Sequence, residues 1–202
     1  NNQKTYNTYP WKKFFSPLGI KNVTFEQDTK GTFIGSSYIY MSAPDYLKVG
    51  KLFMQKGVWN GQQIIPVTYF NLMNTVNDGA KYNSIEPSDI DAYSVQVRTN
   101  QPIPTRNLPS QFSEIPLDSL LFMGHQGQYI VTSPSQNLVI VRLGMDKTSL
   151  NPHLLFAAVK KLILEKGFNY ETAGTTQSAV AKDFKSAEER GLVGDIPKVP
   201  HL

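Results

Sequence analysis

The stretch from residue 120 to residue 143 constrains the fold most. It begins with the apolar run Leu120-Leu121-Phe122-Met123, passes through Gly124-His125-Gln126-Gly127-Gln128, and continues as Tyr129-Ile130-Val131-Thr132. Ser133-Pro134-Ser135-Gln136-Asn137 then supplies turn residues, and Leu138-Val139-Ile140-Val141-Arg142-Leu143 a further apolar run. The second half of this region therefore reads as a β-hairpin, and hairpins build antiparallel sheets. Gly124 and Gly127 flank the start of a strand, where a missing Cβ lets another backbone or a ligand approach. A backbone N–H at such an irregular edge is a ready donor to an oxyanion. An ordinary glycine-rich start to a strand has the same composition, so these five residues alone assign no site.

Helical patterns lie on either side of that region. Ser42, with Asp45 three residues on, resembles a capping box in which the acid stands in for Glu or Gln. Tyr46, Leu47, Gly50, Phe53 and Met54 then form one apolar face until Gly57 ends the helix, and the small Gly50 predicts close packing against another element. Trp59 and Gln63-Ile64-Ile65 make an extended connector. A second helix is predicted from Pro66 to about Val76, ended by Asn77-Asp78-Gly79. Residues 78–91 are polar and read as a loop. Tyr93, Val95 and Val97 alternate with Ser94, Gln96 and Arg98, as in a half-buried strand. Residues 101–116 contain Pro102, Pro104, Pro109 and Pro116, and a segment of that length is either a lid beside a site or a solvated insertion.

Beyond the hairpin, Pro152 to Lys166 carries Leu154, Leu155, Ala158, Leu162 and Ile163 at helical spacing and ends at Gly167, a helix that should lie across the sheet. His153 near its start reads as a surface residue. Residues 169–202 form an extension, linker-like at first, with one helix over 178–190 and an extended Pro-rich end. The domain division is thus 1–168 and 169–202.

Composition bounds the function without naming it. The chain has 202 residues, 40% hydrophobic, enough to bury a core as one domain or most of one. It has no cysteine, which excludes disulfides and thiol chemistry but agrees with an exported bacterial enzyme, periplasmic or extracellular, as well as with other compartments. The formal charge of +4 comes from scattered lysines, without the basic stripe and interleaved aromatics of a nucleic-acid binder. His125, His153 and His201 have no metal-ligand spacing to one another, and no metal or other cofactor is expected. No apolar run approaches the roughly 20 residues that span a bilayer.

The order of the pieces carries a resemblance. The segments Trp11-Lys12-Lys13-Phe14-Phe15-Ser16-Pro17-Leu18-Gly19-Ile20, Gly35-Ser36-Ser37, Ser42-Ala43-Pro44-Asp45-Tyr46, Gly57-Val58-Trp59-Asn60-Gly61 and Ala92-Tyr93-Ser94-Val95-Gln96-Val97 precede Gly124-His125-Gln126-Gly127-Gln128. Together, over about residues 11–165, they resemble the C-terminal half of the penicillin-recognising serine hydrolases, in the branch of class C β-lactamase-like esterases and 6-aminohexanoate-dimer hydrolase. The resemblance implies an α/β (α+β) fold, β-lactamase/transpeptidase-like, with an antiparallel sheet flanked by helices and incomplete in this chain. It also implies acyl transfer to water on an amide or ester through a serine ester. The family works with three motifs: Ser-x-x-Lys with the nucleophile, Tyr-x-Asn or Tyr-x-Ser for proton movement, and Lys-Thr-Gly or a His-containing variant on an active-site strand.

Only the third motif has a counterpart. His125-Gln126-Gly127 takes its place, which implies that the backbone N–H of Gln128 is one oxyanion donor and the nucleophile's own N–H the other. His125 and Gln128 are then the catalytic candidates, and Gln126, Gly127, Tyr129 and Tyr93 the substrate-binding ones. No serine is followed three residues later by lysine. Tyr69-Phe70-Asn71 sits in a packed helix pattern, and Tyr40-Met41-Ser42 lies downstream of the Pro17-Leu18-Gly19 element where the family places its second motif upstream; neither is assigned. The expectation is a C-terminal portion of a longer hydrolase, with the N-terminal half of the same protein as partner. Alternatives are a non-catalytic binding or scaffolding member of the same fold, and an unrelated small binding domain.

Overall fold

In a computed structural model the described residues are 2–77, 92–145 and 151–166. The chain divides into units Asn1–Glu165 and Lys166–Leu202, and the described elements belong to the first, apart from the last residue of its final helix. The loop expected over 78–91, the terminator Asp78-Gly79 and the extension from residue 169 lie outside the described residues.

Helix α1 (Gln3–Pro10) starts where the Asn2 side chain accepts a hydrogen bond from the Lys4 N–H at 2.9 Å, satisfying one orphan donor of the first turn. It runs on into a π-helical turn, Trp11–Phe15. The aromatic residues there meet strands β1 (Val23–Phe25) and β2 (Ile39–Met41), an antiparallel pair. Phe25 stacks on Phe33 with ring centroids 4.5 Å apart, and Trp11 lies against both Phe15 and Phe33. Apolar rings packed this way replace a helix-on-sheet layer that strands three residues long could not supply.

Helix α2 (Ala43–Met54) is capped as its sequence predicts: Ser42 Oγ donates to Asp45 Oδ2 at 2.9 Å and accepts from the Asp45 N–H at 3.3 Å. Its inward face differs by one step. Val49, Gly50 and Leu52 are buried and Phe53 partly so, whereas Leu47 is exposed, because Val49 and Leu52 pack with Phe15, Leu18 and Ile20 while Gly50 turns to the sheet. Gly57, at φ +83°, closes the end by donating its N–H to Leu52 O. Strands β3 (Val58–Trp59) and β4 (Gln62–Gln63) form a two-residue pair. Helix α3 (Val67–Met73) follows Pro66, buries Phe70 and Met73, and stops three residues before the expected end. Asn74 and Thr75 donate from their side chains to Phe70 O and Asn71 O, competing with the backbone for the last carbonyls.

The main sheet has four antiparallel strands in sequential order, β5 (Arg98–Thr99), β6 (Leu120–Gly124), β7 (Gln128–Ser133) and β8 (Leu138–Arg142). The hairpin between β7 and β8 forms at the expected turn, with Ser133 opposite Leu138 and Asn137 in the left-handed region at φ 47°. The strand expected over residues 93–98 is shorter. Ser94 donates its N–H to Val97 O and Gln96 takes φ 60°, so Val95 and Gln96 make a tight turn and only Arg98 and Thr99 pair with β6.

Alternation along the strands gives the sheet two apolar faces. One receives α2: a Cβ at Gly50 would fall 2.9 Å from Ile130 Cγ2 and closer still to Val139 Cγ1, so the helix backbone sits where a side chain would otherwise be. The other carries Leu121, Tyr129, Val131 and Ile140 and packs on Phe112, Ile115 and Phe156. Phe156 belongs to helix α4 (Pro152–Lys166), which thus covers the sheet. Its buried stripe is Phe156 with Leu155 and Val159, and Leu154 and Leu162 are exposed; Phe156, the largest side chain of the helix, takes the core position.

The Pro-rich segment 101–116 is neither a lid nor a solvated insertion. Ile103, Phe112 and Ile115 are buried, and Asn100, itself fully buried, holds the segment by donating to Phe112 O and Ile115 O and accepting from the Phe112 N–H. The segment leaves from Thr99 and returns at Leu120, which the strand register places at the end of the sheet away from residues 124–128.

Candidate active site

At the opposite end of the sheet β6 reverses into β7. The pairing of Gly124 with Gln128 leaves His125, Gln126 and Gly127 to make a tight, kinked turn rather than part of a strand. The expected strand placement of His125-Gln126-Gly127 is therefore corrected: β7 begins only at Gln128. Gln126 has φ 55°, ψ 35° and Gly127 φ 79°, two successive left-handed residues that bend the chain tightly. For glutamine that conformation costs about 1–3 kcal/mol, a strain that concentrates at functional sites but also at ordinary tight turns. Gly124 is extended, and its value is space: a Cβ there would meet Gln128 O at 3.2 Å.

His125 and Gln128 are exposed, Gln126 is half-buried and Gly127 buried. The Gln128 side chain turns back and donates from Nε2 to His125 O at 3.3 Å. Arg142, the last residue of β8 and the cross-strand neighbour of Tyr129, donates from Nη1 to Gly127 O. The turn thus exposes His125 and Gln128 and is tied to the sheet through Arg142.

The other two candidates stand apart. Tyr129 is buried in the cluster with Leu121, Val131 and Phe156, so its ring supports the turn from inside the sheet. Tyr93 is exposed and bridges Arg98 on the outer side of β5, beside the Val95–Gln96 turn that the register brings to the same end of the sheet as Gly124. Tyr40 lies exposed on β2, and Tyr69 lies on α3 beside the buried Phe70. His153 is half-buried rather than at the surface, with Nδ1 enclosed. Arg142 was not singled out by sequence; its only signal was a charge ending an apolar strand. Among the described residues no three His, Asp or Glu side chains gather to hold a metal, and no helix is long and apolar enough to cross a membrane.

No family model matches the chain. The solved structure of a putative 6-aminohexanoate-dimer hydrolase from Bacillus anthracis superimposes on 83% of it with a TM-score of 0.55 at 18% identity. The fold is β-lactamase-like. Mixed α/β architecture, the antiparallel sheet and its covering helices agree with the fold class read from sequence. An uncharacterized protein of Alkalihalophilus pseudofirmus is 30% identical over 108 residues, 52% of this chain. The chain spans 43% of the length of the structural neighbour and 29% of that of the A. pseudofirmus protein.

Proposed function

We propose that this chain supplies the C-terminal half of a serine hydrolase that cleaves an amide or ester through an acyl-enzyme. The observation that carries the reading is the match of the β-lactamase-like fold over 83% of the chain, with the His125–Gly127 turn closing β6 onto β7 at one end of its sheet. The nucleophile Ser-x-x-Lys then lies outside these residues, in the N-terminal half of the same protein. Two facts support this: the chain contains no such motif, and it spans less than half of the structural neighbour. Among the described residues β8 pairs only with β7, which leaves a strand edge for the remainder of the sheet.

In the proposed mechanism the serine oxygen attacks the substrate carbonyl, and the negative charge that develops on the carbonyl oxygen is held by the N–H of Gln128 and that of the serine. A base outside this chain takes the serine proton and passes it to the departing amine or alcohol as the C–N or C–O bond breaks, which leaves the serine ester. Water gives a proton to the same base and attacks that ester, the same donors hold the second oxyanion, and its collapse breaks the ester C–O bond, returns the proton to the serine and releases the acid. His125 and Gln126 line the wall facing the substrate. Gly127 lets the chain pass close to it, and Tyr129 supports the turn from the core. Tyr93 borders the same end from the β5 side. A small amide or ester is the substrate class, and no resident cofactor takes part.

The test uses the intact protein. Wild type should label stoichiometrically with a fluorophosphonate on a serine outside this chain and hydrolyse a p-nitrophenyl ester. Gln128 has φ −84°, about 20° from proline's preferred φ, so Gln128→Pro removes the one N–H at the cost of a small backbone shift there. That variant should lose about 10²–10³ in kcat, the usual cost of one oxyanion donor, while Gln128→Ala keeps most of it. The second reading, a non-catalytic member of the fold, is favoured by the missing nucleophile motif, and an intact protein that neither labels nor turns over would select it.

A further inference from the structure

We infer that Arg142 is a positioning residue of this site: its guanidinium fixes and polarises the peptide that carries the Gln128 N–H. The inference rests on the hydrolase reading and adds a residue to it. A peptide unit is planar, and in the trans form its C=O and N–H point in opposite directions. No peptide bond of the protein is cis, so whatever holds the Gly127 carbonyl also sets where the Gln128 N–H points. Arg142 Nη1 donates to that carbonyl at 2.5 Å.

The arrangement around the bond is built for it. Gln126 and Gly127 are both left-handed, so the turn gives the 127–128 peptide an orientation that a regular strand would not. Arg142 stands at the end of β8 opposite Tyr129, and cross-strand partners share a face. Its head therefore approaches Gly127 from the Tyr129 face and leaves the N–H directed to the opposite side. Gly144 makes room: a Cβ there would lie 3.3 Å from Nη2, 3.4 Å from Nη1 and 3.5 Å from Cζ of Arg142. The guanidinium thus lies along the main chain at Gly144, and a larger residue would press on it.

Two effects follow. A cation donating to an amide oxygen draws electron density through the amide, which makes the attached N–H a stronger donor. The bond also holds the donor in place before the oxyanion forms, and donors that need no reorganisation are the ones that lower a barrier. Arg142 reaches the reacting atoms only through this peptide.

The experiment compares Arg142→Met, Arg142→Lys and Gly144→Ala with wild type in the intact protein, by ester hydrolysis and by NMR of the Gly127 carbonyl carbon and Gln128 amide. Arg142→Met should lower kcat by about tenfold, less than loss of the donor itself, with KM changed by less than about twofold. Arg142→Lys, which keeps a cation of similar reach, should recover part of kcat, and Gly144→Ala should fall between wild type and Arg142→Met without altering the arginine. The Gly127 and Gln128 resonances should move in the order of the kcat losses. Unmoved resonances in Arg142→Met overturn the inference whatever the activity. Moved resonances with unchanged kcat overturn it too, as does a parallel loss of kcat and rise of KM with no recovery in lysine. A wild type that labels with no probe and turns over no ester overturns the hydrolase reading, and with it the role given to Arg142, while the NMR arm still reports whether the guanidinium holds the carbonyl.

Discussion

Replacing Asn100 with alanine should be among the most damaging single changes away from the candidate site. The side chain is fully buried and makes three hydrogen bonds, donating to Phe112 O at 2.8 Å and to Ile115 O, and accepting from the Phe112 N–H at 3.0 Å. Each such bond contributes about 1 kcal/mol net, and a buried donor left without an acceptor adds about 1–3 kcal/mol. The Phe112 N–H is left so, whereas the two carbonyls lose one of several possible partners. The expected loss is therefore about 4–6 kcal/mol, or roughly 8–24 °C in midpoint for a domain of this size. Because Phe112 and Ile115 pack on Leu121, Tyr129 and Phe156, release of the segment also loosens one face of the sheet. Urea unfolding followed by tyrosine and tryptophan fluorescence measures the loss, and a decrease below about 1 kcal/mol would refute the assignment of Asn100 as the anchor. Asn100→Asp gives an independent sign. Its carboxylate would face two carbonyls in a dry site, which favours the neutral form and raises its pKa in the fold above the unfolded value. The penalty is then largest at neutral pH and shrinks as pH falls through that raised value, where the protonated acid can donate to one carbonyl. A stability equal to wild type at neutral pH would contradict this.

The remaining expectations concern helix docking, acid stability and the isolated chain. Gly50→Ala should destabilise by up to about 2 kcal/mol, because a core overpacked against Ile130 and Val139 loses about 1–3 kcal/mol and the gain in helix propensity returns only about 1; a variant more stable than wild type would disprove the close approach of α2 to the sheet. Asp45 is held below the ordinary carboxylate range, first by the hydrogen bond from Lys48 at 2.7 Å and also by that from Ser42, against the opposing effect of burial. Its contribution is present above the ordinary carboxylate pKa and is lost as pH falls through the lowered value, so Asp45→Asn should cost up to about 1 kcal/mol at neutral pH and nothing at the acid end. A pH-independent difference in chemical denaturation would remove that explanation. This chain on its own should neither hydrolyse an ester nor take up a fluorophosphonate; stoichiometric labelling of one of its own serines, seen by intact mass spectrometry, would overturn the placement of the nucleophile elsewhere. It should also associate through the outer edge of β8 as its concentration rises, whereas a sedimentation profile of monomer alone at high concentration would speak against the half-protein reading.

Local chemistry made part of the fold legible and distance in the chain hid the rest. Ser42 with Asp45, Pro66, and the Pro134 to Asn137 turn each act over three to five residues, and the helix starts and the hairpin fall where those residues place them. Tyr93, Val95 and Val97 alternate as a strand would, but alternation is a two-residue rule that a tight turn can satisfy by accident, and Gln96 in the left-handed region breaks the strand there. The Pro-rich segment read as either a lid or a solvated insertion because of its length; what fixes it is Asn100, whose partners lie 12 and 15 residues away. Helix α4 was read from the stripe Leu154, Leu155, Ala158, Leu162 and Ile163, whereas the sheet accepts Phe156 with Leu155 and Val159 beside it.

The candidate site divides in the same way. Residues 124–128 stood out because glycines, a histidine and two carboxamides crowd the start of a strand; the structure puts His125 to Gly127 in the turn before that strand instead. Tyr129 looked like a lining residue from its adjacency, yet adjacent strand residues face opposite sides, so the exposed Gln128 requires its neighbour to turn inward. Arg142 gave almost no signal, since a charge that ends a run of Val and Ile reads as a strand reaching water. Its importance comes from register alone. The pairing of Ser133 with Leu138 fixes that of Tyr129 with Arg142, and a one-residue slip would send the guanidinium to the α2 face, away from Gly127. The β7–β8 turn therefore sets not only the hairpin but also the geometry proposed for the donor at the far end of the same strands. Changes in the Pro134 to Gln136 turn that shift the pairing should reach the Gln128 peptide through Arg142, even though the turn lies at the other end of the sheet.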